Sequence, residues 1–101
     1  KQAVTPYREK KLKTDDQIAS KFFLLLHVED RAGVLAQIAK VFADCAVSIE
    51  SVMQPSAAVM TGAELIIITH DASKAAINRV LSLLRNLPVV KQVKSTYRVE
   101  E

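Results

Sequence analysis

Residues 21 to 38 have the sequence KFFLLLHVEDRAGVLAQI, which joins a nearly all-apolar strand to an amphipathic helix and so decides the fold. Between strand and helix lie an acid, Asp30, and a glycine, Gly33. From Lys21 to Glu29 apolar side chains occupy both faces, a pattern typical of a central strand that is covered on both sides. We therefore predict a β-strand, a short turn and an α-helix.

The elements around this stretch follow from periodicity. Gly33 to Ala46 places apolar residues at helical spacing and predicts the first helix. Ser48 to Gln54 alternates, which predicts a half-exposed edge strand with Ile49, Ser51 and Met53 on one face. The other predictions are a turn over Ser56 to Gly62, a second central strand over Ala63 to Thr69, a helix capped by Asp71 or Ser73 that ends near Asn86, and a last strand over Val89 to Val99.

The order of these elements, βαββαβ, predicts an α+β, ferredoxin-like domain. Right-handed crossovers give a four-stranded antiparallel sheet in the order 4-1-3-2, with two helices on one face. The second strand then becomes an edge, and the helix-free face carries apolar side chains: Phe23, Leu25, Ile66 or Ile68. We expect a partner on the edge, the face or both, unless the start of the chain or a parent domain covers them.

The composition is that of an ordinary globular domain. The chain has 101 residues, 50% of them hydrophobic and 25% charged, which suits one domain with one modest core. No stretch is long enough to cross a membrane, and no signal peptide is visible. Cys45 is the only cysteine, which excludes an internal disulfide or a multi-cysteine metal site and fits a reducing, cytoplasmic setting.

The positive charge is concentrated at the start of the chain. The formal net charge is +3, and the excess lies before residue 22. A basic run of this kind is usually solvated, so we interpret Lys1 to Ser20 as a basic linker or connecting arm and residues 21 to 101 as the domain. The chain begins with Lys rather than Met, as expected of a segment cut from a longer protein.

The start of the first helix is a candidate site for a small ligand. Backbone N–H groups in a first helical turn lack intrahelical partners, and the macrodipole adds positive charge, so a carboxylate would dock at Gly33, Val34 and Leu35. Asp30 would hold an ammonium group nearby. Together they would recognise both ends of an amino-acid backbone. In the alternative interpretation, Asp30 merely caps the helix and Gly33 merely eases a turn.

Two motifs resemble the ACT domain, a regulatory module that binds amino acids. They are Asp30 to Ile38 and Val47 to Ser51, and the match extends over residues 21 to 99. Three shorter stretches resemble, more narrowly, the C-terminal ACT domain of bacterial homoserine dehydrogenases: Ile49 to Val52, Ile67 to His70, and Tyr97 to Val99. In that family a basic connector like Tyr7 to Lys13 leads to the catalytic domain.

The resemblance implies a homodimer in which two copies pair through their second strands. An amino acid would bind where the first loop of one copy meets that strand of the other. The implied ligand-binding residues are Asp30, Ala32, Gly33, Val34 and Leu35 of one copy, with Ile49, Ser51 and Met53 of the other, and Ser51 or Gln54 would receive the hydroxyl of a threonine ligand.

The resemblance also implies the role of this site in a parent enzyme. L-Threonine would mediate feedback inhibition of an attached homoserine dehydrogenase, an oxidoreductase of threonine biosynthesis from aspartate that interconverts homoserine and aspartate 4-semialdehyde with NAD(P). The catalytic residues and the cofactor would belong to that catalytic domain, and we expect none in this segment.

Two residues depart from the family pattern. Ala32 stands where proline is usual, which makes the loop more flexible and weakens its preorganisation for a ligand. Ala46 stands where a glycine commonly precedes the second strand. From its presence we expect that this turn closes without a positive φ.

Three alternative functions would each need features that the sequence can be checked for. An independent enzyme is disfavoured because the two histidines lie on different strands and neither G-x-S-x-G nor G-x-G-x-x-G occurs. We expect structural roles for His27 and His70, and Cys45 in the core. An RNA-binding βαββαβ module needs aromatic residues on its third strand, where Leu65 to Ile68 supplies none. We expect no nucleic-acid, membrane or metal binding, and a dimerisation module without a ligand stays an alternative.

Overall fold

The computed structural model describes residues 18 to 55 and 61 to 99. These ranges contain five strands and two helices. The elements are β1 Ala19–Val28, α1 Val34–Asp44, β2 Ile49–Met53, β3 Ala63–Thr69, β4 Ala72–Ser73, α2 Lys74–Arg85 and β5 Val90–Val99. Most of the basic arm predicted over Lys1 to Ser20, including Tyr7 to Lys13, and most of the turn predicted over Ser56 to Gly62 lie outside the described residues.

The strands form an antiparallel sheet that differs from the predicted one by an extra strand. Its path is β2-β3-β1-β4, and β5 also pairs with β1. The long strands have the predicted neighbours, since β2 pairs with β3, β3 with β1, and β1 with β5. The added strand, β4, pairs Ala72 and Ser73 with the first two residues of β1. The prediction of four strands in the order 4-1-3-2 is therefore wrong in this detail, because a two-residue strand leaves no periodic pattern in a sequence.

Burial alternates along the two central strands and defines a helix-covered face. The buried residues on this face are Phe22, Leu24, Leu26 and Val28 of β1 and Ala63, Leu65, Ile67 and Thr69 of β3. Both helices contribute to the same core, for example through Ile38 of α1 and Ile77 of α2. We call the other side of the sheet the open face; its residues on β1 and β3, Phe23, Leu25, His27, Glu64, Ile66 and Ile68, are half-buried.

A buried hydroxyl at the end of β3 forms a hydrogen bond with β1. Thr69 is fully buried, and its Oγ1 accepts a hydrogen bond from the Phe22 N–H at 3.0 Å. The regular pairing of β1 with β3 ends at Ile68, and pairing with β4 begins at Ala72. Thr69 thus satisfies a backbone donor in the gap between the two ladders, where an unpaired N–H would be costly.

The second helix begins and ends at the predicted residues. Ser73 is its N-cap, and the Ser73 Oγ accepts a hydrogen bond from the Ala76 N–H at 3.0 Å. Asn86 is its C-cap, and its side-chain amide donates to the Ser82 carbonyl at 2.9 Å. In the described part of the chain, neither helix is long and apolar enough to span a membrane.

Ala46 contradicts the expectation that its turn closes without a positive φ. It has φ 57°, in the left-handed region, although it is not a glycine. The turn is closed by backbone hydrogen bonds, since the Ala46 N–H donates to the Ala43 carbonyl at 3.0 Å and the Val47 N–H to the Phe42 carbonyl at 2.9 Å. The chain therefore retains the left-handed geometry and carries the strain on alanine.

Candidate functional site

The loop between β1 and α1 is built around a left-handed glycine. Gly33 has φ 86° and is the N-cap of α1. A Cβ at this position would meet nothing within 4 Å, so backbone conformation rather than space favours glycine here. No side chain caps the helix, which contradicts the alternative in which Asp30 does so. In the described part of the chain, no side chain therefore satisfies the first N–H groups of α1.

A cavity of about 120 Å³ opens beside this loop and gathers four of the predicted site residues. They are Asp30, Val34, Leu35 and Gln54, and Glu29, Arg31 and the β3 residues Ala63 and Leu65 also contribute. Asp30 is exposed and makes no hydrogen bond or ion pair with the residues the structure describes, whereas the neighbouring Arg31 Nε donates to Glu29 at 2.6 Å. The cavity thus presents one uncommitted carboxylate beside a helix start.

Gln54 reaches this cavity from the same chain as Asp30, whereas the resemblance placed it in the partner's strand. Because β2 ends with Met53 paired to Ile66, the next residue lies beside Leu65 at the rim of the cavity. The strand order then puts the end of β2 close to the end of β1. One copy of the chain therefore supplies both an acid and a side-chain amide to the site.

Ala32 and Gly33 lie outside the lining of this cavity. Both are exposed in the turn that precedes α1. The turn includes a long hydrogen bond from the Val34 N–H to the Arg31 carbonyl, at 3.4 Å. These two residues shape the loop, while Asp30 and the first residues of α1 face the cavity.

A bulge in β2 separates the three residues predicted to share one face. Ile49 pairs with Thr69, and after a register shift Ser51 pairs with Ile68 and Met53 with Ile66. Directly paired residues point to the same side of a sheet, so Ile49 lies on the helix-covered face, and Ser51 and Met53 lie on the open face. The prediction of a common face is wrong because the extra residue in the bulge reverses the alternation.

Ile49 instead lines a different cavity, of about 610 Å³, between the last turns of α1 and the start of β2. Ala39, Ala43 and Ala46 are among the residues that line it. The three predicted β2 residues therefore do not join the cavity at the β1–α1 loop in one copy of the chain.

Ionisable side chains cluster around the bulge. The Lys21 Nζ lies 2.7 Å from the Glu50 Oε1, and the His70 Nδ1 lies 3.7 Å from the same oxygen. The hydrogen bond from Lys21 lowers the pKa of the Glu50 carboxyl below its ordinary value. This cluster links β2 to β1 and to the end of β3, and no signal in the sequence identified it.

The histidines have separate structural partners. The His27 Nε2 donates to the Thr61 carbonyl at 2.6 Å and so ties β1 to the start of β3. His70 lies beside Glu50, on the opposite end of β3. Among the described residues, no three His, Cys, Asp or Glu side chains come together in a way that could hold a metal ion.

Two solved structures share the fold of this chain. A homoserine dehydrogenase from Thiobacillus denitrificans superposes with a TM-score of 0.74 at 24% identity, over 85% of this chain and 19% of that one. The acetolactate synthase small subunit from Thermotoga maritima superposes with a TM-score of 0.57 at 17% identity, over 81% of this chain and 47% of that one. Together with the α+β architecture, these likenesses support an ACT-like domain.

Sequence comparison points to homoserine dehydrogenases in particular. The chain is 41% identical over 98 residues to the enzyme of Bacillus subtilis, which covers 96% of this chain and 23% of the relative. It is 34% identical over 84 residues to the homoserine dehydrogenase of Corynebacterium glutamicum, and this match covers 83% of this chain and 18% of the relative. No family model matches the chain. The chain thus resembles the C-terminal part of these enzymes and spans about a fifth of their length.

Proposed function

We propose that the chain is the regulatory, amino-acid-binding domain of a homoserine dehydrogenase, with L-threonine as its effector. The observation that carries this proposal is the cavity at the β1–α1 loop, where the uncommitted Asp30 carboxylate, the start of α1 and the Gln54 amide meet. Similarity to the homoserine dehydrogenase of Bacillus subtilis over 96% of this chain supports the choice of parent enzyme.

Each part of an amino acid has a counterpart in this cavity. The ammonium group pairs with Asp30 in a charge-assisted hydrogen bond. The carboxylate binds at the start of α1, near Val34 and Leu35, where backbone N–H groups and the helix dipole favour an anion. The Gln54 amide both donates and accepts hydrogen bonds, so it can receive the hydroxyl that distinguishes threonine from valine.

A second copy of the chain completes the proposed regulatory unit through the β2 edge. The bulge means that one partner strand cannot direct Ile49, Ser51 and Met53 into a single pocket. We therefore propose that Asp30 and Gln54 of one copy recognise the ligand. The partner's β2 would lie against the site and close one side of it.

In the proposed parent enzyme, inhibition operates between this domain and a catalytic domain. The catalytic domain would carry out the NAD(P)-dependent oxidation of homoserine and the reverse reaction. Threonine changes the activity only if it binds one arrangement of the paired regulatory domains more tightly than the other, because an effector shifts an equilibrium by its differential affinity.

Isothermal titration of the chain with L-threonine tests the proposal, with isoleucine, serine, methionine and lysine as comparisons. We expect saturable binding of threonine that is lost in Asp30→Asn and weakened about tenfold or more in Gln54→Leu, which leaves the ligand hydroxyl unpaired. Asp71→Asn is the matched control, since Asp71 is also exposed and lies outside the cavity lining.

A dimerisation module without a ligand is the alternative, and the same titration distinguishes it. If a demonstrably dimeric chain binds none of the five amino acids, and none raises its melting temperature, the ligand assignment fails and the dimerisation role remains. If Asp71→Asn weakens binding as much as Asp30→Asn does, the effect is one of overall charge and the site assignment is wrong.

A further inference from the structure

Another cavity, of about 340 Å³, lies between α2 and β5 at the opposite end of β1 from the candidate site. Phe22 lines this cavity, whereas Val28 lines the one beside Asp30. Six residues of extended strand separate these two positions, which corresponds to about 20 Å. We call this cavity the α2–β5 pocket.

Among the residues that the structure describes, the α2–β5 pocket is lined by two cationic side chains and no acidic one. The cations are Lys74, at the start of α2, and Arg98, near the end of β5. Neither forms an ion pair or a hydrogen bond with the part of the chain that the structure describes. Two positive charges that share a concave surface repel each other, and an anion placed between them removes that repulsion.

Arg98 lies over an aromatic ring and donates no hydrogen bond to the residues that the structure describes. The Arg98 Cζ lies 5.8 Å from the centroid of the Phe22 ring, a cation–π arrangement. Phe22 is itself buried in the core, so its ring is a fixed platform. Stacking orients the guanidinium while its N–H groups stay available, and a planar fork of this kind binds oxyanions in a bidentate manner.

The remaining lining is suited to an organic ligand. Asn78 and Thr96 add an amide and a hydroxyl, and the buried Leu81 adds an apolar wall. The volume of about 340 Å³ lies within the usual range of small-molecule sites. An anionic group therefore meets the cations while an attached apolar part packs against Leu81.

We propose that the α2–β5 pocket binds a small phosphate-bearing molecule. A phosphate monoester carries roughly −1.5 to −2 charges near pH 7, which matches two cations, whereas a single carboxylate leaves one of them uncompensated. This proposal does not depend on amino-acid binding at the β1–α1 loop, because the two cavities share no lining residue.

Titration of the 101-residue chain with phenyl phosphate and with pyrophosphate tests the proposal. Arg79→Gln is the matched control, since Arg79 is an exposed cation on the same helix that does not line the pocket. We expect saturable binding of phenyl phosphate to the wild type and to Arg79→Gln. In Lys74→Gln and Arg98→Gln, removal of a charged donor weakens binding by about tenfold.

Two results would overturn the proposal, and the second probe identifies the source of the phosphate. If neither phenyl phosphate nor pyrophosphate binds saturably, the site does not exist. If Arg79→Gln weakens binding as much as Lys74→Gln does, the binding is due to general surface charge and not to this pocket. Lys74 is exposed, so Lys74→Gln tests binding without disturbing the core. Arg98→Gln, in contrast, also removes a contact with the buried Phe22 ring. Tighter binding of phenyl phosphate than of pyrophosphate supports an organic ligand, and the reverse supports an inorganic one.

Discussion

Strain at single residues is concentrated where the chain turns, and Ala46 shows it most directly. A left-handed conformation costs an L-residue about 1–2 kcal/mol, because Cβ approaches the following carbonyl oxygen. Glycine avoids this cost but loses more backbone entropy on folding, by about 0.4–1 kcal/mol relative to alanine. The two effects do not cancel at a φ of 57°, so alanine here lowers the stability of the fold.

We predict that Ala46→Gly raises the free energy of unfolding by about 0.5–1 kcal/mol, the difference between these two effects. Ala39→Gly is the matched control, because Ala39 is exposed in the interior of α1 and has no positive φ. Glycine there costs about 0.5–1 kcal/mol. Urea denaturation of the three proteins measures both effects. A destabilised Ala46→Gly would contradict the assignment of strain.

The sequence does not reveal the left-handed conformation of Ala46, because alanine rarely adopts it and its presence argues against it. Gly62 is different, since its φ of 76° is what a glycine in a predicted turn leads one to expect. The lack of space also favours glycine there, because a Cβ on Gly62 would collide with the Val28 carbonyl oxygen. Glycine therefore indicates a left-handed turn residue in the sequence, whereas the left-handed conformation at Ala46 leaves no such signal.

Among the elements, β2 determines the electrostatics of the sheet edge. Its bulge brings Glu50 to Lys21 of β1, and His70 lies on the other side of the same carboxylate. Since the pKa of Glu50 is lower in the folded chain than its ordinary value of 4.5, the Lys21 pair stabilises the fold above that value. The stabilisation is lost as the pH falls through the folded pKa, when the carboxyl becomes protonated.

We predict that Glu50→Gln is less stable than the wild type at neutral pH and that this difference disappears in acid. The pair is exposed to solvent, so the difference at neutral pH should also shrink at high salt. Urea denaturation between about pH 3 and pH 7 measures it. Asp71→Asn removes an exposed carboxylate that has no ion pair among the described residues. Its stability relative to the wild type should therefore stay nearly the same across this pH range. A pH-independent effect of Glu50→Gln would contradict the assigned role of the ion pair.

The helices and strands were predictable where the spacing of apolar residues and the capping residues indicate the same boundaries. Ser73, Asn86 and the following Pro88 mark both ends of α2, and the run of apolar residues over Ala63 to Thr69 marks β3 without error. The bulge in β2 was not predictable, because apolar and polar residues alternate in the same way with or without it. Asp30, Val34 and Leu35, whose turn is local, line one cavity, and their role in binding a ligand stays a prediction. The expectation that Ile49, Ser51 and Met53 share one face is wrong, because the face of each residue depends on its pairing with β3.

At the scale of the whole molecule, neither the open face nor the β2 edge is covered by another helix or strand of the described residues. The open face carries Phe23 and Tyr97, whose rings are 5.9 Å apart, and Tyr97 is 61% exposed. The third strand contributes Ile66 and Ile68 to this face rather than aromatic residues, which disfavours base stacking as its purpose. Val52 and Met53, at the β2 edge, are also exposed.

We predict that the chain forms a dimer through the β2 edge and that Val52→Lys shifts the equilibrium toward monomer by about tenfold or more, since a buried lysine must be desolvated. Leu83→Lys is the matched control, because Leu83 is an exposed apolar residue on α2, away from this edge. Sedimentation over a range of protein concentrations measures both. A wild-type chain that stays monomeric at high concentration, or a dimer that Leu83→Lys disrupts equally, would contradict pairing at β2.

The bulge also limits how the chain can aggregate. A long, flat, regular edge strand can template the next chain, and repetition of that step builds a cross-β fibre. Here the β2–β3 ladder is interrupted between Ile49 and Ser51, and Pro55 follows Gln54 without a backbone N–H to offer. An edge so short can join one partner strand yet offers little length for indefinite stacking. The irregularity that places Ile49 on the other face from Ser51 and Met53 thus also shortens the regular ladder that β2 can offer to another chain.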